Sequence, residues 1–129
     1  MFVDPFDCDQ KQSSTQETNY VEFSDFQKID IRVGMILSAE EIPNKDNLVK
    51  LEVDLGELGV RTIVAGIKKQ YNIQTLVRYP TNSVLVVTNL KPRKIGGIMS
   101  NGMLLAALDS SNTLNLATCR TLIAGTKVS

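Results

Sequence analysis

An alternating run of apolar residues near the start of the chain limits its fold more than any other feature of the sequence. Between Phe23 and Pro43 the apolar residues recur at every second position, at Ile29, Ile31, Val33, Met35 and Leu37. This period of two predicts a long first β-strand with one buried face. Gly34 lowers the strand propensity inside the run, and a glycine there often marks a bulge or bend of the kind that a small barrel needs to close.

The next part of the chain predicts a hairpin followed by one short helix. Residues 48–56 alternate as a second strand, and the β-branched segment 61–67 predicts a third strand that pairs with the second across a glycine-bounded turn. The period then changes, because the following apolar residues have helical spacing, at Ile73, Leu76 and Val77. This change of period predicts a short helix that lies against the barrel.

The second half of the chain predicts further short strands. Residues 83–90 form a continuous apolar run and predict a buried fourth strand, whereas the glycine-rich segment 95–102 predicts a loop. A fifth strand is predicted at 103–108, with short terminal strands near 114–117 and 126–129. Five strands with a helix between the third and the fourth is the OB-fold order. We therefore predict an all-β, five-stranded OB-fold barrel with a short helix between strands 3 and 4 and short terminal strands.

The 129 residues are enough for one domain with a single core. Residues 1–22 are polar, without period and rich in acids, so we expect a mobile acidic leader there and the OB-fold domain at 23–129. No apolar run has the length of a membrane span, and the first residues lack the pattern of a signal peptide, so we expect a cytoplasmic protein with no membrane partner.

Several enzyme classes are disfavoured because the chain has no histidine. Histidine is the commonest general base and metal ligand, and Cys8 and Cys119 are too far apart in sequence for a CxxC metal motif. The glycine-rich segment matches neither of the common nucleotide-binding motifs, and nothing fixes the geometry of the carboxylates. We therefore predict no enzyme activity, no catalytic residue, no metal and no cofactor.

The charges are segregated along the chain although the formal net charge is zero. Residues 1–30 hold seven acids and two bases, whereas residues 91–129 hold five bases and one acid. No acid occurs between Glu57 and Asp109. Such a segment indicates either a surface for an anionic partner or a solvated surface whose acids lie elsewhere, and charge alone leaves both interpretations open.

The most basic segment is NLKPRKIGGIMSNG, which places Lys91, Arg93 and Lys94 beside a glycine pair. Glycine lets a phosphate backbone come close, and arginine can hold a phosphate through two hydrogen bonds. The alternative is a barrel corner whose cations only keep it soluble. Outside the leader and its junction the only aromatic residues are Tyr71 and Tyr79, so a run of stacked bases fits poorly, whereas a folded RNA fits.

Five motifs resemble those of the tRNA-binding domain family. They are the segment from Phe23 to Glu57, RTIVAGIKKQY, TNLKPRKIGG, SNGMLLAA and the terminal GTKVS, in the same order as in that family. The family includes a stand-alone bacterial tRNA-binding protein, the carboxy-terminal appendage of many methionyl-tRNA synthetases, and the domain shared with endothelial monocyte-activating polypeptide. The resemblance covers residues 23–129.

The resemblance implies an OB-fold that binds tRNA without strict sequence choice, commonly as a homodimer, and that concentrates tRNA for an aminoacyl-tRNA synthetase such as methionyl-tRNA synthetase. Matched by position, the implied tRNA surface comprises Arg32, Asn89, Lys91, Arg93, Lys94, Ser100 and Met103. The alternative that remains is a secretion-type chaperone of the same fold, which would bind extended peptides in place of RNA.

Overall fold

The computed structural model describes residues 18–121 and 123–129. Most of the predicted leader, residues 1–17, lies outside the described residues together with Cys8. Residues 18–22 precede the first helix and are exposed to solvent.

Ten short strands and two single-turn helices make up the described chain. The helices are α1, Phe23–Phe26, and α2, Ile73–Leu76, and a 3₁₀ turn covers Gly56–Leu58. The strands are β1 (Ile31–Glu41), β2 (Val49–Asp54), β3 (Val60–Ala65), β4 (Ser83–Val87), β5 (Arg93–Ile95), β6 (Ile98–Ser100), β7 (Met103–Leu104), β8 (Ala106–Leu108), β9 (Leu114–Leu116) and β10 (Lys127–Val128).

The main sheet has the strand order β3-β2-β1-β4-β7, and β10 pairs with the first residues of β1. All of these pairings are antiparallel. The long strand β1 belongs to both halves of the sheet, because residues 31–35 pair with β4 and residues 35–41 pair with β2. Met35 is the point of exchange, where Asp54 and Ser83 are its partners on the two sides.

The sheet curls until β3 meets the segment that joins β6 to β7. The backbone N–H of Asn101 donates to the Thr62 carbonyl at 2.8 Å, and the backbone N–H of Val64 donates to the Ser100 hydroxyl at 2.9 Å. One backbone and one side-chain hydrogen bond thus replace a regular ladder at the closure. The predicted all-β fold of the OB type is confirmed, with α2 between β3 and β4 as the sequence predicts.

Gly34 lies where β1 has to pass close to its neighbours. A Cβ atom at this position would lie 2.6 Å from Val53 Cγ1 and 3.1 Å from both Leu55 Cδ2 and Val86 Cγ2. The expected bulge occurs three residues later, where the register with β2 shifts between Ile36 and Ser38. Gly34 therefore serves close packing inside the barrel rather than the bulge.

The predicted alternation assigns the wrong residues of the first strand to the core. Gly34 and Ile36 face inward, because both pair with core residues of β4 and β2, so the odd-numbered residues before the bulge lie on the opposite face. Leu37 is accordingly 55% exposed and Ile29, which precedes β1, 43% exposed, whereas Ile36 is only 2% exposed. The bulge reverses the alternation only beyond Leu37, where Ala39 packs against the core.

The core fills the interior of the curled sheet, and α2 covers one side of it. Leu76 of α2 is fully buried, and the Asn72 side chain caps the helix by accepting a hydrogen bond from the Gln74 N–H at 2.8 Å. The core cluster draws on every strand of the first half of the barrel, with Ile36, Val49, Leu51, Val53, Leu55, Ile63, Ile67, Leu76, Val84, Val86 and Leu116.

Substituting Gly34→Ala should destabilise the fold by about 1–3 kcal/mol, because the added methyl group forces Val53 and its neighbours out of a fully packed core. The measurement is urea unfolding of the variant and the parent chain. Gly66→Ala is the matched control, since the nearest atom to a Cβ there is at 3.4 Å, an ordinary contact. Equal losses in the two variants would contradict the close-packing role of Gly34.

Candidate nucleic-acid interface

The basic segment predicted as a loop forms a regular β-hairpin. Strand β5 pairs with β6 in the register Arg93 to Ser100, Lys94 to Met99 and Ile95 to Ile98. Gly96 and Gly97 make the two-residue turn, with φ of 59° and 86°. Two consecutive left-handed residues define the primed turn that matches the twist of paired strands, and a glycine pair between two isoleucines is a recognised sequence signal for it. We call residues 91–100 the basic hairpin.

The tip of the basic hairpin rests on the loop between β1 and β2. A Cβ atom on Gly96 would lie 2.7 Å from Leu48 Cδ1 and 3.8 Å from the side chain of Lys45. Glycine is thus required at position 96 for the close approach as well as for the turn. This contact holds the hairpin against the barrel.

The hairpin separates the three predicted cations onto two faces. Side chains alternate along a strand, and directly paired residues share a face. Arg93 and its partner Ser100 face the barrel, whereas Lys94 lies on the other face beside Met99, which is 52% exposed. Lys91 precedes β5 and lies on the same side as Arg93.

A groove of about 640 Å³ opens between the basic hairpin, the end of β3 and the β8–β9 hairpin. Its lining is mostly apolar, with Lys91 and Arg93 as its two charged residues and no carboxylate among the lining side chains. We call it the hairpin groove. It is lined by Val64, Ala65, Gly66, Ile67, Leu90, Lys91, Arg93, Ile95, Ser100, Gly102, Met103, Leu104, Ala106, Leu114 and Leu116.

Four of the seven predicted site residues line this groove. One of the four, Ser100, is buried, whereas the other three are exposed. Ser100 is 3% exposed, and its hydroxyl accepts from Val64 and donates to the Gly102 carbonyl at 3.3 Å, so it closes the barrel. Met103 is 46% exposed and is free to touch a ligand. Lys91 and Arg93 are exposed and lie within 4 Å of none of the described carboxylates.

Asn89 lies next to the hairpin but outside the groove lining. Its side-chain amide accepts a hydrogen bond from the Asp30 backbone N–H at 3.0 Å and donates one to the Lys28 carbonyl at 2.5 Å. The amide thus ties the segment before β1 to the end of β4. The RNA contact of Asn89 stays a prediction, and the structure adds this anchoring role.

Arg32 belongs to a polar network at one end of the barrel. Its Nε donates to both carboxylate oxygens of Asp30, at 3.1 and 3.2 Å, and its Nη1 donates to the Gly125 carbonyl at 3.3 Å. The Thr88 hydroxyl donates to Asp30 Oδ2 at 2.8 Å. Arg61 reaches across from β3 and donates to the Thr88 carbonyl at 2.6 Å. The charge of Arg32 is therefore balanced within the protein.

The same network sets the protonation of Asp30. Burial raises the pKa of this carboxyl, but the hydrogen bonds from Thr88 and Arg32 and the positive charges of Arg32 and Lys127 lower it by more. The pKa of Asp30 consequently lies below its ordinary value. The ionised form is the one that the folded chain stabilises.

The structure thus gathers Lys91, Arg93, Ser100 and Met103 around one groove and leaves Arg32, Asn89 and Lys94 outside it. The sequence analysis missed the apolar part of the site, to which Leu90, Ala106 and Leu114 contribute. No sequence pattern indicated these contacts, because Leu90 falls in the run predicted to be a buried strand, whereas it is 47% exposed. No group of three histidine, cysteine or acidic side chains suited to a metal occurs among residues 18–121 and 123–129.

A curled OB-type barrel with unpaired cations at the mouth of a groove is a form typical of nucleic-acid-binding modules. Residues 31–127 match the family model described as "Putative tRNA binding domain". The match covers about three quarters of the sequence, including all of the basic hairpin. The chain belongs to this tRNA-binding domain family, whose domain is a binding module.

Curated relatives are methionine–tRNA ligases. The enzyme of Pyrococcus horikoshii is 44% identical over 113 residues, which is 88% of this chain and 15% of the ligase. The enzyme of Helicobacter pylori strain J99 is 42% identical over 120 residues, which is 93% of this chain and 18% of the ligase. The chain thus spans less than a fifth of the length of either ligase.

Solved structures with the same fold carry two kinds of name. The crystal structure of a MetRS-related protein from Pyrococcus horikoshii superposes with a TM-score of 0.78 and 32% identity, covering 87% of this chain and all of that one. The chaperone CsaA of Bacillus anthracis superposes with a TM-score of 0.75 and 31% identity, covering 86% of this chain and all of that one. Within the part of the chain that the structure describes, no helix is long and apolar enough to cross a membrane.

Replacing Asp30 by asparagine should lower the melting temperature of the chain at neutral pH. The difference in melting temperature between the variant and the parent chain should become smaller in acid. Because the folded pKa is lowered, the stabilisation by Asp30 is complete above the unfolded value of about 3.9 and is lost as the pH falls through the lower folded pKa. The check is the melting temperature of both chains between pH 7 and pH 2. Asp46→Asn, in the loop between β1 and β2, is the control. A difference in melting temperature between Asp30→Asn and the parent chain that stays the same from pH 7 to pH 2 would contradict the lowered pKa of Asp30.

Proposed function

We propose that the chain is a non-sequence-specific tRNA-binding module that concentrates tRNA for an aminoacyl-tRNA synthetase, with methionyl-tRNA synthetase as the partner. The observation that carries the proposal is the pair of cations, Lys91 and Arg93, at the mouth of the hairpin groove and without a partner among the described carboxylates. The family match and the ligase relatives support the same substrate and partner.

The proposal assigns no chemistry and no cofactor to the chain itself. A binding module raises the local concentration of its ligand when it is attached to, or docks on, an enzyme that acts on that ligand. The relatives contain the matching segment within a longer ligase. The same physical role serves a stand-alone chain that docks on the enzyme and an appended domain. Synthetases act in the cytoplasm, and the proposal puts the chain there as well.

The charge distribution supports recognition of the phosphate backbone rather than of base sequence. Phosphate contacts position a protein on a nucleic acid and carry no sequence information, and they make binding strongly dependent on salt. The basic hairpin supplies Lys91, Arg93 and Lys94 on two faces of one short element. Cations on two faces of one element can contact phosphates along the curved backbone of a folded RNA.

Changing Lys91, Arg93 and Lys94 together to alanine should weaken tRNA binding on the order of tenfold or more at about 0.1 M salt. The logarithmic salt slope should fall by about one for each lost phosphate contact, and the melting temperature should stay unchanged, because all three side chains are exposed. Binding to mixed tRNA and to single-stranded DNA of equal length is measured across a salt series.

The matched control changes Lys69, Arg78 and Arg120 to alanine, which removes the same net charge at exposed positions outside the hairpin and the groove lining. It should retain most of the affinity. An unchanged salt slope in the hairpin variant, or equal losses in both variants, would overturn the proposed site.

Binding of extended peptides is a second candidate function, and the apolar lining of the hairpin groove favours it. The CsaA structures share the fold, and an apolar groove suits unfolded polypeptide. Competition of labelled tRNA against an unfolded polypeptide separates the two functions. Peptide binding should be insensitive to salt, whereas tRNA binding should weaken steeply.

We also propose that the chain forms a homodimer through the segment before β1. Large apolar side chains are exposed together there, with Tyr20 79% exposed, Val21 72%, Phe23 70% and Phe26 41%. The rings of Phe23 and Phe26 lie 6.3 Å apart and form one apolar face of α1. A contiguous apolar patch on a soluble chain marks an interaction surface, and a two-fold pair is the commonest way to cover it.

The double variant Phe23→Ser and Phe26→Ser should behave as a monomer in light scattering at micromolar concentration, while the parent chain has twice that mass. Leu108→Ser removes an equally exposed apolar side chain of β8 and should remain dimeric. A parent chain that is already monomeric at this concentration would dispose of the dimer.

A further inference from the structure

We propose that the hairpin groove binds one unstacked base of the tRNA, while Lys91 and Arg93 hold the phosphates on either side of it. The inference rests on the proposed tRNA-binding function and adds to it the part of the RNA that enters the site. It concerns a single extruded nucleotide, not a stacked run.

The groove is large enough to admit a base together with its sugar, and its lining offers apolar contact to the ring. Its volume of about 640 Å³ lies in the range of sites for small organic ligands. Among the lining side chains, Leu90 and Met103 are 47% and 46% exposed and can give apolar contact to a flat ring. The methionine thioether is polarizable and adapts to an aromatic partner.

The charges at the mouth identify an anionic ligand. Lys91 and Arg93 are the only charged residues of the lining, and both are positive. A nucleotide combines an apolar ring face with a phosphate on each side, which complements an apolar groove with two cations at its mouth. An apolar peptide would gain nothing from the cations.

A regular RNA helix has no unstacked base that could enter this groove. Double-stranded RNA presents phosphates and 2′-hydroxyls at its surface and keeps its bases stacked inside, whereas loops and bulges can splay a base outward. Cations on an open surface would be sufficient for a helix. The apolar groove beside the cations is explained if a base leaves the stack and enters it.

The tyrosines of the barrel offer no surface in the groove on which a run of bases could stack. The Tyr71 hydroxyl accepts a hydrogen bond from the Leu116 N–H at 2.9 Å, and the Tyr79 hydroxyl donates to the Arg120 carbonyl at 3.3 Å. Neither tyrosine lines the groove. A stacked run of bases would need a series of such rings at the surface.

The walls of the groove are fixed before any ligand binds. The Ser100 hydroxyl ties the basic hairpin to β3, and the Tyr71 hydroxyl ties β9 to the segment before α2. The turn between β8 and β9 is closed by Asp109, whose carboxylate accepts from the N–H groups of Ser111 and Thr113, both at 2.9 Å. A preformed site costs little ordering on binding.

The test fills the groove with Ala106→Phe, a change at an exposed strand position in its lining. Ala107→Phe is the matched control, because Ala107 is equally exposed and lies on the other face of β8, paired with Asn115. The ligands are mixed tRNA, a fully paired RNA duplex without a loop, and the same duplex with one bulged 2-aminopurine. Melting temperatures establish that both variants are folded, and Met103→Ala, at another position of the lining, gives an independent second variant.

The parent chain and Ala107→Phe should prefer the bulged RNA by about tenfold, in line with one inserted base, and should change the 2-aminopurine fluorescence on binding. Ala106→Phe should lose the preference and the fluorescence change while keeping the salt slope, because the cations remain. Met103→Ala should weaken the preference in the same direction.

An Ala106→Phe variant that keeps the preference and the fluorescence change would overturn the inference and leave the tRNA-binding function intact. Loss of polypeptide binding with unchanged RNA binding in this variant would assign the groove to a peptide and also overturn it. Absence of salt-dependent tRNA binding in the parent chain is a separate result, which would remove the proposed function itself.

Discussion

The shared strand β1 is the constraint on which the rest of the structure depends. Its first half pairs with β4 and its second half with β2, so a single strand has to curve between two directions. The curve is possible because Gly34 lets Val53, Leu55 and Val86 come within contact of the backbone. A Cβ atom on Gly102, in the segment that closes the barrel, would lie 3.3 Å from the same Val86. The close packing at Gly34 and the closure of the barrel therefore share a core residue.

The candidate site is a consequence of how the barrel closes. The edge of β3 that faces away from β2 has no regular partner strand among the described residues. The Ser100 hydroxyl and the Asn101 N–H connect this edge to the end of β6. The space left open beside this connection is the hairpin groove, and the β8–β9 hairpin forms its far wall. Strand alternation turns the Arg93 side chain toward the groove and the Lys94 side chain away from it. Architecture and charge are therefore supplied by the same short segment.

The sequence predicted the strands whose residues alternate strongly or are continuously apolar, and it predicted the place of the helix. It failed where the structure depends on contacts between distant residues. Leu37 fits the alternation but is exposed, because the even-numbered residues of β1 before the bulge face the core, as the pairing of Ile36 with Val53 shows. The glycine pair at 96 and 97 was taken for a loop although its local signal for a hairpin turn is strong. Lys91, Arg93 and Met103 could be matched by position, whereas Leu114 joins the groove only through the fold.

The contrast between Arg32 and the hairpin cations shows why a chain with no net charge can present a cationic surface. Arg32 is held by Asp30, whose carboxylate is ionised at neutral pH and accepts two hydrogen bonds from Arg32 Nε. Such a pair contributes to the architecture, and its two charges offset each other. Lys91, Arg93 and Lys94 have no carboxylate partner in the described part of the chain, so their field reaches into the solvent. The attraction for a polyanion depends on which cations are unpaired and where they lie on the surface. The formal net charge of the chain contains neither kind of information.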